Sequence, residues 1–191
     1  MDVHEKTRYR FADAIKQCMK KHSLDKITVT EIVETSEMTR QTFYRYFKDK
    51  YDLVNWYFEK LVMQSFRQMG TSLTLQEGLV KKFYFIQNDH AFFEQAFSSQ
   101  DYNSLVKYDF DCIHAFYQKI ITSKTNAPLS EDMAFLLEMY CRGSIDMTVD
   151  WVKKKMPRSP EAMADLLIEA LPPKLEILLT FLNDDTKKAA N

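Results

Sequence analysis

The residues best equipped for chemistry lie in one short stretch, Thr39-Arg40-Gln41-Thr42-Phe43-Tyr44-Arg45-Tyr46-Phe47. Its polar members are hydroxyls, an amide and two guanidinium groups, and no Asp or Glu occurs between Met38 and Lys48. A solvated helix face ordinarily mixes both signs of charge. Donors and cations alone suit a polyanion, because phosphates are negative and base edges in the major groove are read by hydrogen bonds. Arg can fork onto guanine and Gln onto adenine. Phe43 and Phe47, four residues apart, supply the buried side of the same helix.

Other chemistries find little to work with. The chain holds no Gly-rich phosphate loop, HExxH pair or nucleophile elbow. Asp111 and His114 stand at i and i+3 with Cys112 between them, but Cys112 projects elsewhere on a helix and no third ligand is evident, so a core or surface pair is the expectation and no metal site is assigned. The three cysteines, Cys18, Cys112 and Cys141, are scattered without a CxxC, as in a reduced chain that uses thiols as small hydrophobes. The expectation is a protein without cofactor that is not an enzyme.

The elements that carry the donor-rich stretch can be read from apolar spacing and caps. Phe11, Ala14, Ile15 and Cys18 form a stripe on a helix over 5–22, amid Lys6, Arg8, Lys16, Lys20 and Lys21. Thr28-Val29-Thr30-Glu31 matches a capping box and starts a short second helix with Ile32 and Val33 inward. Thr39 caps a third helix from Arg40 to about Phe47, and a fourth is expected over Tyr51–Met69. Two short, closely joined helices are helix-turn-helix spacing. The same spacing also serves plain bundle packing, and the donor-rich exterior of the third helix tips the balance toward DNA.

Composition agrees with an all-α chain. Of 191 residues only 3 are Gly and 5 Pro, too few for a sandwich, barrel or doubly wound sheet, while 46% are hydrophobic and 28% charged, enough for a folded core. The formal net charge is −1, but residues 1–50 hold 11 Lys and Arg against 8 Asp and Glu, a modestly basic head on an acidic remainder. No apolar run reaches membrane-spanning length and the N-terminus lacks a signal-like core, so a cytoplasmic protein without membrane contact is expected.

The segments Ile27–Val33 and Thr39–Leu53 closely resemble the DNA-binding domain of TetR/AcrR-family transcriptional regulators. The resemblance implies a three-helix head at 1–50 and an all-helical effector and dimerisation body at 51–191. It also implies contacts residue by residue. Thr28, Thr39, Tyr44, Tyr46 and Lys50 would meet phosphates, and Arg40, Gln41 and Thr42 would meet bases. Tyr46 stands where many members carry His, and Glu37 stands in the turn where the family usually has Gly. If that turn needs positive φ, Glu costs about a kcal/mol against Gly. Tyr140-Cys141-Arg142-Gly143, Trp151 and Ser159–Ala164 resemble the C-terminal domain of a Firmicutes-type TetR subfamily that includes activators of dihydroxyacetone-kinase operons.

In the body, a helix over 102–123 should turn Val106, Phe110, Ile113, Tyr117 and Ile120 inward, and one from Ser130 should turn Met133, Leu136, Leu137, Tyr140, Cys141, Ser144, Met147 and Trp151 inward. Further helices begin at Ser159 and Pro173, the last reaching Phe181, followed by a fraying tail from Asn183. Phe110, His114, Tyr117, Tyr140 and Trp151 are the candidate effector pocket, although core filling explains such aromatics equally. The expected partners are a pseudo-palindromic double-stranded operator, a second copy of the chain, and a small-molecule effector or protein coactivator. Repression is the family default. Activation through a coactivator, and a helical adaptor that has lost its operator, stay open.

Overall fold

The computed structural model describes residues 2–69 and 72–179, with Met63 and Gln64 described by backbone alone. Among these residues the secondary structure is helical and no strand forms. The chain divides into two compact units, Met1–Lys60 with Asp89–Tyr108, and Leu61–Asn88 with Asp109–Asn191.

The first unit opens with α1 (Val3–Met19), whose expected stripe of Phe11, Ala14, Ile15 and Cys18 is buried. A 3-10 turn (Leu24–Lys26) leads to α2 (Val29–Thr35) and α3 (Arg40–Tyr46). Two turns cannot hold a helix alone in water, so α2 and α3 rely on caps and on packing. Phe43 and Phe47 meet Phe11 edge-on, with ring centroids 5.3 and 6.2 Å away. Burying such a phenylalanine contributes about 2–3 kcal/mol, and edge-to-face contact adds about 1 more.

Helix α4 (Lys50–Leu61) buries Leu53, Val54 and Phe58. The single helix expected over Tyr51–Met69 is instead two, because α4 ends at Leu61 and α5 runs Met63–Gln68. At the break the Ser65 hydroxyl and amide both donate to the Val62 carbonyl, a tighter i to i+3 closure. The first unit also contains α7 (His90–Ala96), set down by Phe92 on Tyr57 at 4.9 Å. Lys16 bonds Asp89 at 3.0 Å and the Tyr57 hydroxyl at 3.1 Å, and that hydroxyl donates to Asp89 at 2.8 Å.

The second unit contains α5, α6 (Leu75–Asn88), most of α8 (Leu105–Thr125), α9 (Glu131–Lys153), α10 (Pro160–Glu169) and α11 (Pro173–Leu179). Ser130 and Ser159 cap α9 and α10 as expected. Asn126, at φ 50°, closes α8 before Pro128. The expected inward face of α8 is partly wrong. Ile113 and Tyr117 are buried, but the others in line are Leu105, Asp109 and Ile121, while Val106, Phe110 and Ile120 are half-exposed. A strict four-residue stripe won, and its polar member Asp109 hid it from apolar counting. Met147 was expected inside α9 and is 57% exposed, with Thr148 buried in its stead. The expected end of the last helix at Phe181, and the tail after it, lie outside the described residues.

Candidate nucleic-acid interface

Helix α3 is built as a presented rod. Its N-cap Thr39 accepts from the Thr42 amide at 3.1 Å, and the two hydroxyls lie 2.9 Å apart. Phe43 is fully buried. Arg40 and Gln41 are exposed, Thr42 is half-exposed, and Tyr44 is 53% exposed. The side chains expected to read bases therefore face solvent.

Tyr46 is more tied down. Its hydroxyl lies 2.8 Å from His4 Nδ1, and the Arg8 guanidinium sits over its ring at 5.6 Å and over Trp56 at 5.8 Å. His4 and Arg8 were missed in the sequence, where they read only as the polar face of α1. Their contacts span about 40 residues and leave no local mark.

Thr28 forms the full capping box with Glu31. Its hydroxyl accepts from the Glu31 amide at 3.2 Å and donates to Glu31 Oε2 at 2.8 Å, while its own amide donates to the same oxygen at 2.7 Å. The Thr28 amide and hydroxyl hold the Glu31 carboxyl below its ordinary range. The carboxylate thus takes up the hydroxyl proton that a phosphate would want.

Lys50, at the start of α4, donates to the Asp25 carbonyl at 2.7 Å and to the Ile27 carbonyl at 2.8 Å. One of its three N–H groups is left over from these two bonds. Partial burial pulls its ammonium down from the ordinary lysine value, against the pull of Asp25 and other nearby carboxylates. Thr28 and Lys50 consequently meet at one place, where α2 begins.

The turn between α2 and α3 is a Schellman closure. The Glu37 amide donates to the Glu34 carbonyl at 3.2 Å and the Met38 amide to the Val33 carbonyl at 2.9 Å. Glu37 has φ 54°, the left-handed conformation that favours glycine. Arg10 offsets the departure, donating to the Ser36 carbonyl at 2.9 Å and lying 3.8 Å from the Glu37 carboxylate. Arg10 also puts a cation beside the Glu37 carboxylate.

The five candidate pocket residues fall into three groups. Phe110 and His114 stack at 5.5 Å on the half-exposed side of α8, with Arg142 over Phe110. Tyr117 and Tyr140 meet at 6.1 Å in the core, and Tyr140 donates to the Leu167 carbonyl. Trp151 packs on Phe83 and donates to the Arg158 carbonyl. Beside the tyrosines lies a pair that apolar counting could not find. Lys82 and Asp109 are bonded at 3.1 Å and almost wholly buried. Burial drives the Asp109 carboxyl upward against the pull of Lys82, and burial pushes the neighbouring Cys141 thiol up to about 12. Cys141 is thus an inert core thiol. Among the described residues no group of three or more His, Cys, Asp or Glu side chains could hold a metal ion. No described helix is long and apolar enough to cross a membrane.

Residues 12–55 match the family described as bacterial regulatory proteins, tetR family, and residues 74–172 match that described as transcriptional regulator C-terminal region. A curated relative, the HTH-type dhaKLM operon transcriptional activator DhaS of Lactococcus lactis subsp. lactis (strain IL1403), is 26% identical over 91 residues, covering 48% of this chain and 49% of that protein. The matched region is therefore about half of that relative's length. Among solved structures, the dihydroxyacetone kinase operon activator DhaS aligns with a TM-score of 0.60 at 19% identity, covering 90% of this chain and 97% of that one. The fatty acid degradation regulator FadR from Bacillus halodurans aligns at 0.56 with 18% identity over 89% and 96%. FadR from Bacillus subtilis, solved in complex with stearoyl-CoA, aligns at 0.54 with 18% identity over 91% and 98%. At such identities the structural likenesses establish the fold. The matched families and relatives are transcriptional regulators rather than enzymes.

Proposed function

This chain belongs to the tetR family of bacterial regulatory proteins, and from that premise we propose that it acts in the cytoplasm as a homodimer on a pseudo-palindromic operator. It is a transcriptional regulator with a DNA-binding N-terminal domain. In this reading residues 1–50 contact DNA, and residues 51–191 dimerise and receive the controlling input. Helix α3 enters the major groove, with Arg40, Gln41 and Thr42 on base edges and Thr39, Tyr44 and Tyr46 on flanking phosphates. Lys50 holds one further phosphate at the start of α2, where the helix dipole favours an anion, and the Thr28 hydroxyl joins it by turning from Glu31 to the phosphate. The carrying observation is the solvent-facing, acid-free side of α3 opposite a fully buried Phe43.

The dimer reading rests on α9. Phe135, Met139 and Met147 are exposed at 68%, 51% and 57%, and with Gly143 they mark one line at four-residue steps. A Cβ at Gly143 would meet nothing within 4 Å, so a partner helix can come close there. With Leu166 of α10, 42% exposed, this is the surface for a four-helix bundle across a two-fold axis. Two heads must reach successive major grooves, about 34 Å apart, and an effector in the body acts by changing that separation. The controlling input is a small molecule, such as an acyl or other apolar compound, or a protein coactivator. Activation is favoured by the likeness to an operon activator, repression by the family default.

A mobility shift with the DNA upstream of the chain's own gene, at two salt concentrations, tests the reading. Binding should weaken steeply with salt. Arg40→Ala should lose preference for that DNA over a random duplex, whereas Lys50→Ala should weaken both alike. Parental binding by both variants overturns the contact assignment.

A further inference from the structure

The carboxylate of Asp25 is bonded to the stretch that follows α7. Its Oδ1 accepts from the Ser99 hydroxyl and, at 3.2 Å, from the Tyr51 hydroxyl, and its Oδ2 accepts from the Gln100 amide at 3.3 Å. The backbone carbonyl of the same residue accepts from Lys50 Nζ. The stretch beyond is itself pinned. Asp101 donates its amide to the Ser99 hydroxyl, Asn103 its amide to Asp101, and Asn55 of α4 its side-chain amide to the Asn103 carbonyl. Ser99 is 6% exposed, so its hydroxyl cannot turn to water instead. Covalently, this stretch lies between residues 88 and 109, where the chain leaves the second unit and returns to it.

We propose that Asp25 is a positioning residue for DNA binding: gripped by Ser99 and Gln100, it holds its own carbonyl under Lys50 Nζ and so aims the ammonium at the phosphate beside Thr28. The proposal rests on the assignment of Lys50 to a phosphate and goes beyond it. It makes residues 98–103, remote from α3 in sequence, a determinant of operator affinity. Charge alone predicts the opposite sign, since deleting a carboxylate near DNA should tighten binding.

The test measures affinity of the full-length chain for its own upstream duplex over a salt series. Asp25→Ala should bind roughly tenfold more weakly, the scale of one charge-assisted hydrogen bond misplaced. Its slope of log affinity against log salt should fall by about 0.9, the signature of one lost phosphate contact. Ser99→Ala should move both readouts the same way, and the double variant should add little. Asp25→Asn, which keeps one acceptor for Ser99 but sets an NH2 against the Gln100 amide, should lose less than Asp25→Ala, and it carries the test with Ser99→Ala if Asp25→Ala fails to fold. In a Lys50→Ala background, Asp25→Ala should change nothing further. The proposal is overturned if Asp25→Ala binds as tightly as the parent or tighter, if it weakens binding with an unchanged slope, or if its effect survives intact without Lys50. Lys50→Ala binding like the parent removes the Lys50 phosphate contact and this proposal while leaving α3 as reader. A parent that binds no duplex overturns the regulatory reading itself.

Discussion

Glu37 sits in the left-handed region at φ 54°, in the turn that joins α2 to α3. For an L-residue with a Cβ that conformation costs about 1–2 kcal/mol, while glycine's greater freedom in the unfolded chain costs about 0.5–1 kcal/mol. Glu37→Gly should therefore gain about 0.5–1 kcal/mol. The Arg10–Glu37 pair subtracts little, because at 3.8 Å, with the Glu37 side chain 86% exposed, it is screened by water. Arg10 also keeps its bond to the Ser36 carbonyl, which does not involve the Glu37 side chain. For a chain of this length 1 kcal/mol shifts Tm by about 2–4 °C. The control is Glu37→Ala, which removes the charge and keeps the Cβ. Urea and thermal unfolding should rank glycine above alanine by about 1 kcal/mol. Duplex affinity should rise equally in both variants, since each removes the same negative charge beside α3. If Glu37→Gly is no more stable than Glu37→Ala, the strain argument for this turn is wrong. If only one of them binds DNA more tightly, the charge argument is wrong.

Other outcomes follow from the same contacts. Lys82→Met and Asp109→Leu should each cost about 3–5 kcal/mol by stranding a buried charge, whereas the double variant should recover most of the loss, as read from denaturant midpoints. Thr28→Ala should lose about 1 kcal/mol by undoing the capping box, and Thr28→Ser should stay near the parent. Because Glu31 is held below its ordinary range, its contribution to stability is complete above that range and is lost as pH falls through its lowered native value. Glu31→Gln should flatten this part of the acid limb when unfolding midpoints are compared from neutral pH down to about pH 3. Met147→Glu or Phe135→Glu should shift sedimentation from dimer to monomer while leaving far-ultraviolet helicity unchanged, because both side chains are exposed within one chain.

Much of what depends on neighbours within four residues was legible in the sequence. The caps at Thr28, Thr39, Ser130 and Ser159, the stop at Asn126 before Pro128, and the burial of Phe43 and Phe47 are all local, since a helix is closed by i to i+4 bonds and its faces repeat at the same interval. The donor-rich side of α3 belongs to this class, whereas the suspicion that Glu37 occupies a glycine's conformation came from the family resemblance alone. Tertiary structure alone decided what distant side chains do to one another. An Asp within an apolar helix reads as a turn toward solvent, and only Lys82, 27 residues away, lets Asp109 face the core. Lys50 reads as a free cation, but two carbonyls 25 and 23 residues back hold it. Asp25 reads as a free surface charge, and only the hydroxyl of Ser99, 74 residues on, shows it to be tied. Such pairings cost loop-closure entropy and are repaid only when the whole core assembles. No window of neighbouring residues contains them.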